Sequence, residues 1–583
     1  VNISGQQKRW HNITFQVEGP ETYEKATPNP FLDYRMNIKF THLPSNKSLI
    51  VQGYYAADGN AAETSDSTGN IWQAHFVPEE IGSWAYEVFF EQGNGLAIES
   101  LFTPGIPLEA HGQKGTFTVS ETDKSGNDFR GKGFLRYVGK HHLQFSGNKE
   151  YFIKGGADSP ENLLSYRDFD NTPNLRDRQK TYVPHLQDWK AGDPVWQGTK
   201  GKGLIGALNY LASKGMNAFS FMTMAVNGDD RAVYPYIIGN GEDAPQQDRT
   251  QFDVSKLAQW EIVFSHADSL GLHLHFKTQE TENDILLDGG QLGTERKLYY
   301  RELIARFGHH LALNWNTGEE VNLHTELGDV YQELLYSYSA YIKSIDPYDH
   351  PVVSHTFPQD RLAIYTALLG KQSPITGASL QVNYINVHKH TLEWVKKSNL
   401  SGYPWVVAND EQGSSTTGIT PDGEGNNHAD IRKSVLWGNY MAGGAGVEYY
   451  FGYDYPHSDM TLQDFRSRDS MWSFTRIAMD FFRNEIPFYD YSSQDHLLLG
   501  TGNNDISYAF GKPGEQFIVY SERMGQLRII LTCGVDTYNL RWFNPRTGEF
   551  TSESRTLEAG AAVPLFDPPS DPDEDWVLIL DPA

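Results

Sequence analysis

Short apolar runs broken by polar turns fill the first part of the chain. Segments such as "ITFQVEG", "YRMNIKFTHL" and "GSWAYEVFFEQG" alternate or run apolar between Gly, Pro, Asn and Asp, and they carry no 3.6-residue stripe. Alternation with a period of two is typical of half-buried strands. The pattern therefore predicts an N-terminal β-sandwich over residues 1–112 and a β-rich connecting segment over 113–150.

From about residue 151 the pattern changes to short apolar runs that alternate with amphipathic helical stretches such as "VSKLAQWEIVFSHADSLG". The apolar runs are "YFIKGGAD", "MNAFSFMTM", "LHLHFKTQ", "HLALNW", "HPVVSHTF", "ASLQVN", "PWVVAND" and "GVEYYFGY". A series of eight strand and helix repeats is typical of a (β/α)8 TIM barrel. We predict a multi-domain protein with this barrel over 151–489 and, because strand-like runs return, a C-terminal β-sandwich over 490–583.

Composition and charge exclude several classes of partner. The 583 residues carry a net charge of −26, which argues against broad contact with nucleic acid or with an anionic membrane surface. No apolar run reaches the roughly 18 residues of a membrane span. Cys533 is the only cysteine, so an intrachain disulfide is impossible. The chain begins at Val1, which is compatible with a removed signal peptide, and we expect a periplasmic or secreted protein.

Polar residues just past each predicted strand are the candidates for chemistry, because a barrel of this kind has its active site at the carboxyl ends of its strands. Two acidic pairs are prominent there: Glu319-Glu320 after the fourth strand and Asp410-Glu411 after the seventh. These strands lie across the barrel opening from each other. Two carboxyl groups that flank a scissile bond are what glycoside hydrolysis needs.

Both acidic segments resemble a known pattern. "WNTGEEVN" resembles the strand-four "W-x-x-G-N-E" signature of the large clan of retaining (β/α)8 glycoside hydrolases, and "PWVVANDEQG" resembles its strand-seven segment, which ends in E-x-G. The resemblance makes Glu320 the acid/base and Glu411 the nucleophile. The clan's Asn, which normally helps to hold the sugar's 2-hydroxyl, is Glu319 here, so Glu319 is expected to meet another substituent or a basic neighbour. The choice between Glu319 and Glu320 rests on this motif.

The whole chain is also similar to a bacterial family of three-domain hydrolases. The matching segments are "YYAADGNAAETS", "RGKGFLRYVG", "KGGADSPENLL", "TQETENDILLDGG", "ERKLYYRELIARFGHH", "GGAGVEYYFGY" and "RWFNPRTGE". The nearest functional relatives implied by this resemblance are β-carrageenase-like hydrolases of marine bacteria. It implies a β-glycosidic bond cleaved with retention, a sulfated red-algal galactan as substrate, and attack from a chain end.

Further side chains past the strands are predicted to bind the substrate. They are Asp158, Gln279, Glu280, Glu282, Asn314, Trp315, Glu319, His355, Gln381, Asp410, Tyr450 and Tyr453. His273 and His275 share one face of a strand and are expected to be core or sugar-contacting residues rather than metal ligands. A sulfated sugar needs cations, and the candidates near the barrel opening are Lys277, His355, His388, His390, Arg432, Arg466 and Arg468.

The sequence thus predicts a carbohydrate partner, no nucleic acid, no membrane insertion, no cofactor and no metal, and leaves a homo-oligomer open. The acidic loop "DPPSDPDED" lacks the regular spacing of a calcium loop. Three alternatives stay open: a non-catalytic carbohydrate-binding protein on a barrel scaffold, a polysaccharide lyase, and a hydrolase of a non-sulfated polysaccharide. Both expected glutamates being present favours the hydrolase.

Overall fold

The computed structural model describes residues 1–237, 248–502, 505–532, 534–552 and 555–583, so Cys533 lies outside the described residues. Three β-rich or α/β units follow one another along the chain. No helix in the described ranges is both long and apolar enough to cross a membrane.

Two antiparallel sheets form the N-terminal unit. Their strands are β1 (Asn2–Gly5), β2 (Ile13–Tyr23), β3 (Tyr34–His42), β4 (Ser48–Gln52), β5 (Tyr54–Tyr55), β6 (Thr68–Phe76), β7 (Gly82–Gln92), β8 (Ile106–Pro107) and β9 (Lys114–Val119). One sheet has the order β1-β2-β6-β5 and the other β4-β3-β7-β8, with β9 also paired to β7. The inward-facing aromatic residues of both sheets form the core, where Phe40 stacks on Phe76 at 4.0 Å between ring centroids.

A short hairpin of β10 (Leu135–Arg136) and β11 (Gln144–Phe145) leads into a closed parallel barrel. The predicted eight-stranded (β/α)8 barrel is confirmed. Its strands are β12 (Lys154–Ala157), β13 (Ala218–Met222), β14 (His273–Lys277), β15 (Leu313–Asn316), β16 (Val352–His355), β17 (Gly377–Asn383), β18 (Val406–Gly413) and β19 (Gly446–Tyr449). Gly156 is needed where β12 meets β13, because a Cβ there would lie 1.9 Å from the carbonyl oxygen of Ala218.

The helices outside the β-barrel wall cover its outer face. They are α2 (Lys202–Ser213), α3 (Val254–Leu270), α4 (Thr294–Phe307), α5 (Tyr331–Ile345), α6 (Arg361–Leu368), α7 (Val387–Leu400), α8 (His428–Ile431), α9 (Gly438–Met441) and α10 (Asp469–Glu485), and the short α1 (Ala61–Thr64) belongs to the N-terminal unit. Helix α3 shows how sequence fixes the ends: the Asp253 side chain accepts from the Lys256 N–H, and Gly271 follows the last turn in the left-handed conformation.

The C-terminal unit again has two sheets. Its strands are β20 (Ser492–Ser493), β21 (Leu498–Leu499), β22 (Ser507–Gly511), β23 (Phe517–Ser521), β24 (Arg528–Leu531), β25 (Thr537–Asn544), β26 (Glu549–Phe550), β27 (Arg555–Glu558), β28 (Gly560–Pro564) and β29 (Trp576–Pro582). The larger sheet runs β20-β22-β23-β29-β25-β26 with β27 on β25, and the smaller runs β21-β24-β28.

A buried ion pair joins this unit to the barrel. Arg432, between α8 and α9, donates to Asp575 at 2.6 Å, and the Tyr520 hydroxyl donates to the same carboxylate at 2.6 Å. The Trp437 ring stacks on Tyr520 at 4.8 Å between centroids. Removing one partner of such a pair leaves the other charge buried and uncompensated.

We therefore expect Arg432→Ala to lower the free energy of unfolding by about 3–5 kcal/mol, measured by urea denaturation. Lys512→Ala, which breaks the exposed pair with Glu515, is the control and should leave the free energy of unfolding close to that of wild type, because solvent screens such a pair. Equal losses in the two variants would contradict a special role for the buried pair.

Candidate active site

The two glutamates singled out by sequence meet at the carboxyl-end opening of the barrel, called the mouth below. The Gln381 side chain, on β17, donates from Nε2 to Glu320 Oε1 and also to Glu411 Oε1, the latter at 2.7 Å. Because one nitrogen contacts both carboxyl groups, these two oxygens lie no more than two hydrogen-bond lengths apart, about 5.5 Å.

Two local backbone features aim these carboxyl groups. Glu320, in the loop after β15, has a φ of 48°, a left-handed conformation that is strained for a side chain with a Cβ. In β18 the pairing register shifts, so that Leu380 faces Asn409 and Gln381 faces Glu411, with Asp410 as the extra residue. Such a bulge lets both Asp410 and Glu411 point into the barrel, although neighbours on a regular strand face opposite sides.

Lys277 compensates the acidic groups beside Glu411. Its Nζ lies 2.8 Å from Asp158 Oδ1 and 2.9 Å from Glu161 Oε1, and all three residues are buried. The Ser220 hydroxyl adds a 2.7 Å hydrogen bond to the same Asp158 oxygen. On the other side, His355 Nε2 lies 3.3 Å from Glu411 Oε2. Glu411 thus lies between an imidazole and a cluster of two acids that share one lysine.

A second charged layer lies deeper in the barrel. Lys154 contacts Asp410 at 2.5 Å and Glu448 at 3.3 Å, and His275 Nδ1 lies 2.7 Å from Glu448. The other His275 nitrogen lies 3.0 Å from Asn316 Nδ2. Asp410 therefore belongs to this interior network rather than to the surface that a substrate would touch.

Burial and mutual repulsion raise the pKa values of the acids at the mouth. Burial, and after it the charge of Glu411, raises the pKa of Glu320 to about 8. Burial, followed by the charge of Asp158, raises the pKa of Glu411 to about 7, and Lys277 opposes the rise. The pKa of Glu319 is raised well above its ordinary value by burial and by Glu161. Raised and separated pKa values of neighbouring carboxyls are typical of acid/base sites.

The structure brings most of the predicted residues together. Around Glu320 and Glu411 lie Asp158, Glu319, His355 and Gln381. Further out at the mouth lie Tyr450, whose hydroxyl donates to the Ser415 carbonyl at 3.1 Å, and Tyr453, whose ring packs edge-on against it at 6.1 Å. The Tyr453 hydroxyl donates to Asp229.

Four of the predicted substrate contacts do not face the mouth. One is Asp410, which belongs to the deeper charged layer, and the others are Trp315, Asn314 and Gln279. Trp315 points outward from β15, is buried, and donates its indole N–H to Asp346 at 3.1 Å. Asn314 lies one residue earlier and lines an interior pocket toward the other end of the barrel. The Gln279 side chain turns to the helix layer, where it accepts from Arg296 and donates to the Tyr331 hydroxyl at 3.3 Å. These residues therefore do not contact a substrate at the mouth as predicted. Neighbouring residues of a strand face opposite sides of the barrel wall, and Trp315 and Gln279 find their hydrogen-bond partners in the helix layer.

The histidines of β14 are not at the mouth. His275 is part of the deep charged layer, and His273 is buried beside Phe152 at 5.7 Å between ring centroids. The sequence left a core role and a sugar-contacting role open for these histidines. The structure places both residues in the core.

Most of the predicted sulfate-binding cations are engaged away from the glutamates. His388 contacts Asp495 at 2.7 Å, His390 contacts Glu393 at 3.0 Å, and Arg466 contacts Asp188 at 2.6 Å. Arg432 holds Asp575, and Arg468 Nε donates to the Ile419 carbonyl at 3.1 Å. Only Lys277 and His355 of that set lie at the mouth, where both already contact carboxylates.

Some groupings of donor atoms have the spacing of a metal site. The donor atoms of Asp158, Glu161 and Glu411 lie within 4.8 Å of one another, as do those of His275, Asp410 and Glu448. A lysine ammonium already contacts each set, Lys277 the first and Lys154 the second. The lysines supply the positive charge that such acid clusters need.

Sequence reasoning missed the roles of three participants. Lys277 was expected as a cation for a sulfated sugar and not as the partner of Asp158 and Glu161, and neither Glu161 nor Asn316 was singled out. A signal was available for Lys277, since a lysine in the apolar run "LHLHFK" needs a buried counter-charge.

Comparisons with known proteins agree with the fold. Residues 6–91 match the family described as "Domain of unknown function (DUF5060)", and residues 494–581 match one described as "Putative collagen-binding domain of a collagenase". No curated protein matches the chain.

Several solved structures share this architecture. A "putative glycoside hydrolase" from Bacteroides vulgatus has a TM-score of 0.63 at 14% identity, covering 98% of this chain and 99% of its own. A family 5 glycoside hydrolase from the same organism has a TM-score of 0.53 at 16% identity, over 78% of this chain and 93% of its own. A third, named "Glycoside hydrolase", has a TM-score of 0.55 at 14% identity, over 79% and 99%. At these identities the likeness shows the fold.

The raised pKa of Glu320 predicts a pH-dependent stability. An acid whose pKa is higher in the folded than in the unfolded state contributes its full stability below the unfolded pKa, near 4.3, and loses it as the pH rises through the folded pKa, here about 8. Glu320→Gln abolishes this loss. We expect the free energy of unfolding of the variant, relative to wild type, to rise between pH 5 and 9 by an amount on the order of 4 kcal/mol, because each of the roughly three pH units between pH 5 and the folded pKa contributes about 1.4 kcal/mol.

Calorimetry at several pH values measures this trend. Glu18→Gln, at an exposed position of the N-terminal sandwich, is the control whose difference from wild type should stay flat. A flat difference for Glu320→Gln as well would mean that the pKa of Glu320 is not raised by folding.

Proposed function

We propose that the protein is a glycoside hydrolase that cleaves a β-glycosidic bond with retention of configuration. The observation that carries this proposal is the double contact of Gln381 Nε2 with Glu320 and Glu411. It puts the nearer oxygens of the two carboxyl groups no more than about 5.5 Å apart. That distance supports the carboxyl separation of about 5–5.5 Å that retaining enzymes use over the roughly 6.5–9.5 Å of inverting enzymes. An inverting site would need room for a water between the groups.

In the first step Glu411 attacks the anomeric carbon. The bond from that carbon to the leaving oxygen breaks, and the proton of Glu320 passes to the leaving oxygen, which departs as a hydroxyl. The product is a glycosyl ester of Glu411. In the second step Glu320, now ionised, takes a proton from water, the hydroxide oxygen bonds to the anomeric carbon, and the ester bond to Glu411 breaks.

The raised pKa values support a pair that retains one proton. Burial raises the pKa of Glu320 to about 8 and that of Glu411 to about 7, and the charge of Glu411 is the second cause of the rise at Glu320. An ionised Glu411 therefore favours the protonated form of Glu320, which is the state that the first step needs. The glycoside hydrolases of similar fold, at low identity, are consistent with this chemistry.

The distribution of charged side chains at the mouth indicates whether the sugar at the cleaved bond is sulfated. A sulfated galactan attacked from a chain end stays a prediction from the family resemblance. In the described part of the mouth the cations are already paired with acids, and several acids have no cationic partner. This distribution favours an unsulfated sugar unit at the cleaved bond. Because polysaccharides do not enter the cytoplasm intact, we also propose an extracytoplasmic location.

Variants of the two glutamates test the function. Wild type, Glu411→Gln and Glu320→Gln are compared for reducing-sugar release from sulfated and desulfated galactans and from neutral plant polysaccharides. We expect Glu411→Gln to lose at least 10⁴-fold in kcat and Glu320→Gln to lose about 10²–10⁴-fold, the latter loss being small with dinitrophenyl glycosides, whose leaving group needs no proton.

Glu424→Gln, in the exposed 414–427 loop, is the control and should keep wild-type activity. The anomer released first, seen by proton NMR, reports retention directly. Full activity of Glu411→Gln would refute the mechanism. A first product with inverted anomeric configuration would refute retention but not the hydrolase function.

The pH dependence of activity is a separate prediction. Activity requires ionised Glu411 and protonated Glu320, so kcat/KM should be bell-shaped with limbs near pH 7 and 8. The Gln381 amide donates to both carboxylates and lowers both pKa values. Gln381→Leu should therefore move both limbs to higher pH, as well as lowering kcat. A profile that keeps its wild-type limbs would contradict this role of Gln381.

A further inference from the structure

Three carboxyl groups form an acidic rim on one side of the mouth: Asp229, in the loop after β13, and Glu280 and Glu282, after β14. The backbone N–H of Asp229 donates to Glu280 Oε1 at 2.9 Å, and the Tyr453 hydroxyl donates to the Asp229 side chain. The ion pairs of the mouth involve Lys277 and His355, and neither reaches the rim. Within the described ranges the rim carboxyls have no cationic side chain as a partner.

One oxygen of the rim has no partner at all. Glu280 is only 4% exposed, and its Oε2 is enclosed without a hydrogen-bond donor in the described structure. The Glu280 and Glu282 carboxyls converge on Gly228, where a Cβ would lie 2.5 Å from Glu280 Oε1 and 2.7 Å from Glu282 Oε2. Glycine, with a φ of 96°, is what allows this convergence. A buried, unpaired carboxylate is costly unless a donor or a cation satisfies it.

The rim lies beside the catalytic pair. Asn322 Nδ2 donates to the Glu320 carbonyl at 3.2 Å and to the hydroxyl of Thr281, which stands between Glu280 and Glu282 in the chain, at 3.0 Å. In agreement with this contact, the charges of Glu282 and Asp229 contribute to the raised pKa values of Glu320 and Glu411 respectively. Interactions of this kind act over short distances in a buried site. Tyr453, which binds Asp229, is 42% exposed and offers an accessible ring at the same place. A saccharide with its scissile bond between the glutamates would therefore contact the rim.

From these contacts we infer that the acidic rim binds a protonated amino group of the saccharide, so that the substrate carries free amino sugars at or next to the cleaved bond. This inference rests on the proposed glycoside hydrolase function and names the class of its substrate. Burial raises the pKa of Glu280 well above its ordinary value and also raises that of Glu282. A cation beside them would stabilise their ionised forms, and an ammonium brings one positive charge together with three donors for their oxygens.

Two features favour an ammonium over other cations. Asp229, Glu280 and Glu282 are not among the groups of the described structure in which three or more donor atoms all lie within 4.8 Å of one another, so a single small metal ion would not contact all three rim residues. Two arginines approach from outside, but they bind backbone: Arg176 donates to the Gly228 carbonyl at 3.2 Å and Arg178 to the Asp229 carbonyl. The carboxyl groups are left for a ligand.

Binding to a variant that cannot turn over tests the inference. Glu411→Gln is titrated by calorimetry, at about pH 6, with β-1,4-linked hexamers of glucosamine, N-acetylglucosamine and glucose. These three hexamers differ only in the group on C2. The same titration with galactosamine and N-acetylgalactosamine oligomers covers the other C4 configuration. We expect at least one amino oligomer to bind 10-fold or more tightly than its acetylated or neutral counterpart, and the preference to shrink in 0.5 M salt.

The rim variants show where the preference arises. Adding Glu280→Gln and Glu282→Gln to the Glu411→Gln background should remove the preference, whereas adding Glu18→Gln should leave it. Glu280 is buried, so its substitution could disturb folding. Glu282→Gln alone, at an exposed position, is therefore tested as well, and the melting temperature of each variant reports whether it is folded.

The outcomes separate the two proposals. Amino oligomers that bind no more tightly than their counterparts, or a preference that survives both rim substitutions, would overturn the ammonium site. If wild type meanwhile hydrolyses a neutral or sulfated polysaccharide in a Glu411-dependent way, the hydrolase function stands without it. A rim-dependent amino preference with no hydrolysis by wild type of any of the oligomers would instead refute the hydrolase and support a binding protein.

Discussion

The site depends on the burial of positive charge inside the barrel. Lys277 and Lys154 each form ion pairs with two acidic side chains, at 2.8 and 2.9 Å for the first and at 2.5 and 3.3 Å for the second, and so offset part of their negative charge. Without these lysines several carboxylates would be packed within a few ångströms of one another in a medium of low dielectric constant, which is prohibitively unfavourable. The two ion clusters make it possible for one barrel interior to hold so many acids.

On that base, small distortions of the backbone set the chemistry. The bulge at Asp410 divides two consecutive acids between two layers, one bound to Lys154 and the other facing Gln381. The left-handed conformation of Glu320 turns its carboxyl toward the same amide. Strain of this kind persists only where surrounding contacts fix it, and the hydrogen bonds of Gln381 supply part of that constraint.

The flanking β-domains contact the barrel from outside, and none of their described residues contacts the glutamate pair. The C-terminal unit is fastened through Arg432, Asp575 and the stacked rings of Trp437 and Tyr520. The N-terminal sandwich is fastened through α4, where Arg301 donates to the Gly53 carbonyl and Arg306 to the Tyr55 carbonyl. Arg301, Arg306 and Arg432 of the barrel unit are thus used for contacts between domains.

The amino-acid sequence by itself determined the three-unit organisation, the eight barrel strands and the positions of Glu320 and Glu411. Periodicity of apolar residues is a local property, and the carboxyl ends of barrel strands always face one opening, so both can be deduced without coordinates. The roles of Trp315, Gln279 and Asp410 could not be deduced in this way. Whether a side chain after a strand turns to the mouth or to the helices depends on one-residue changes of register and on partners such as Arg296 and Asp346, which are distant along the chain. Likewise, the counter-ions of Lys277 come from another strand end, and only the tertiary structure could bring them together, because electrostatic pairing depends on distance in space and not on separation in sequence.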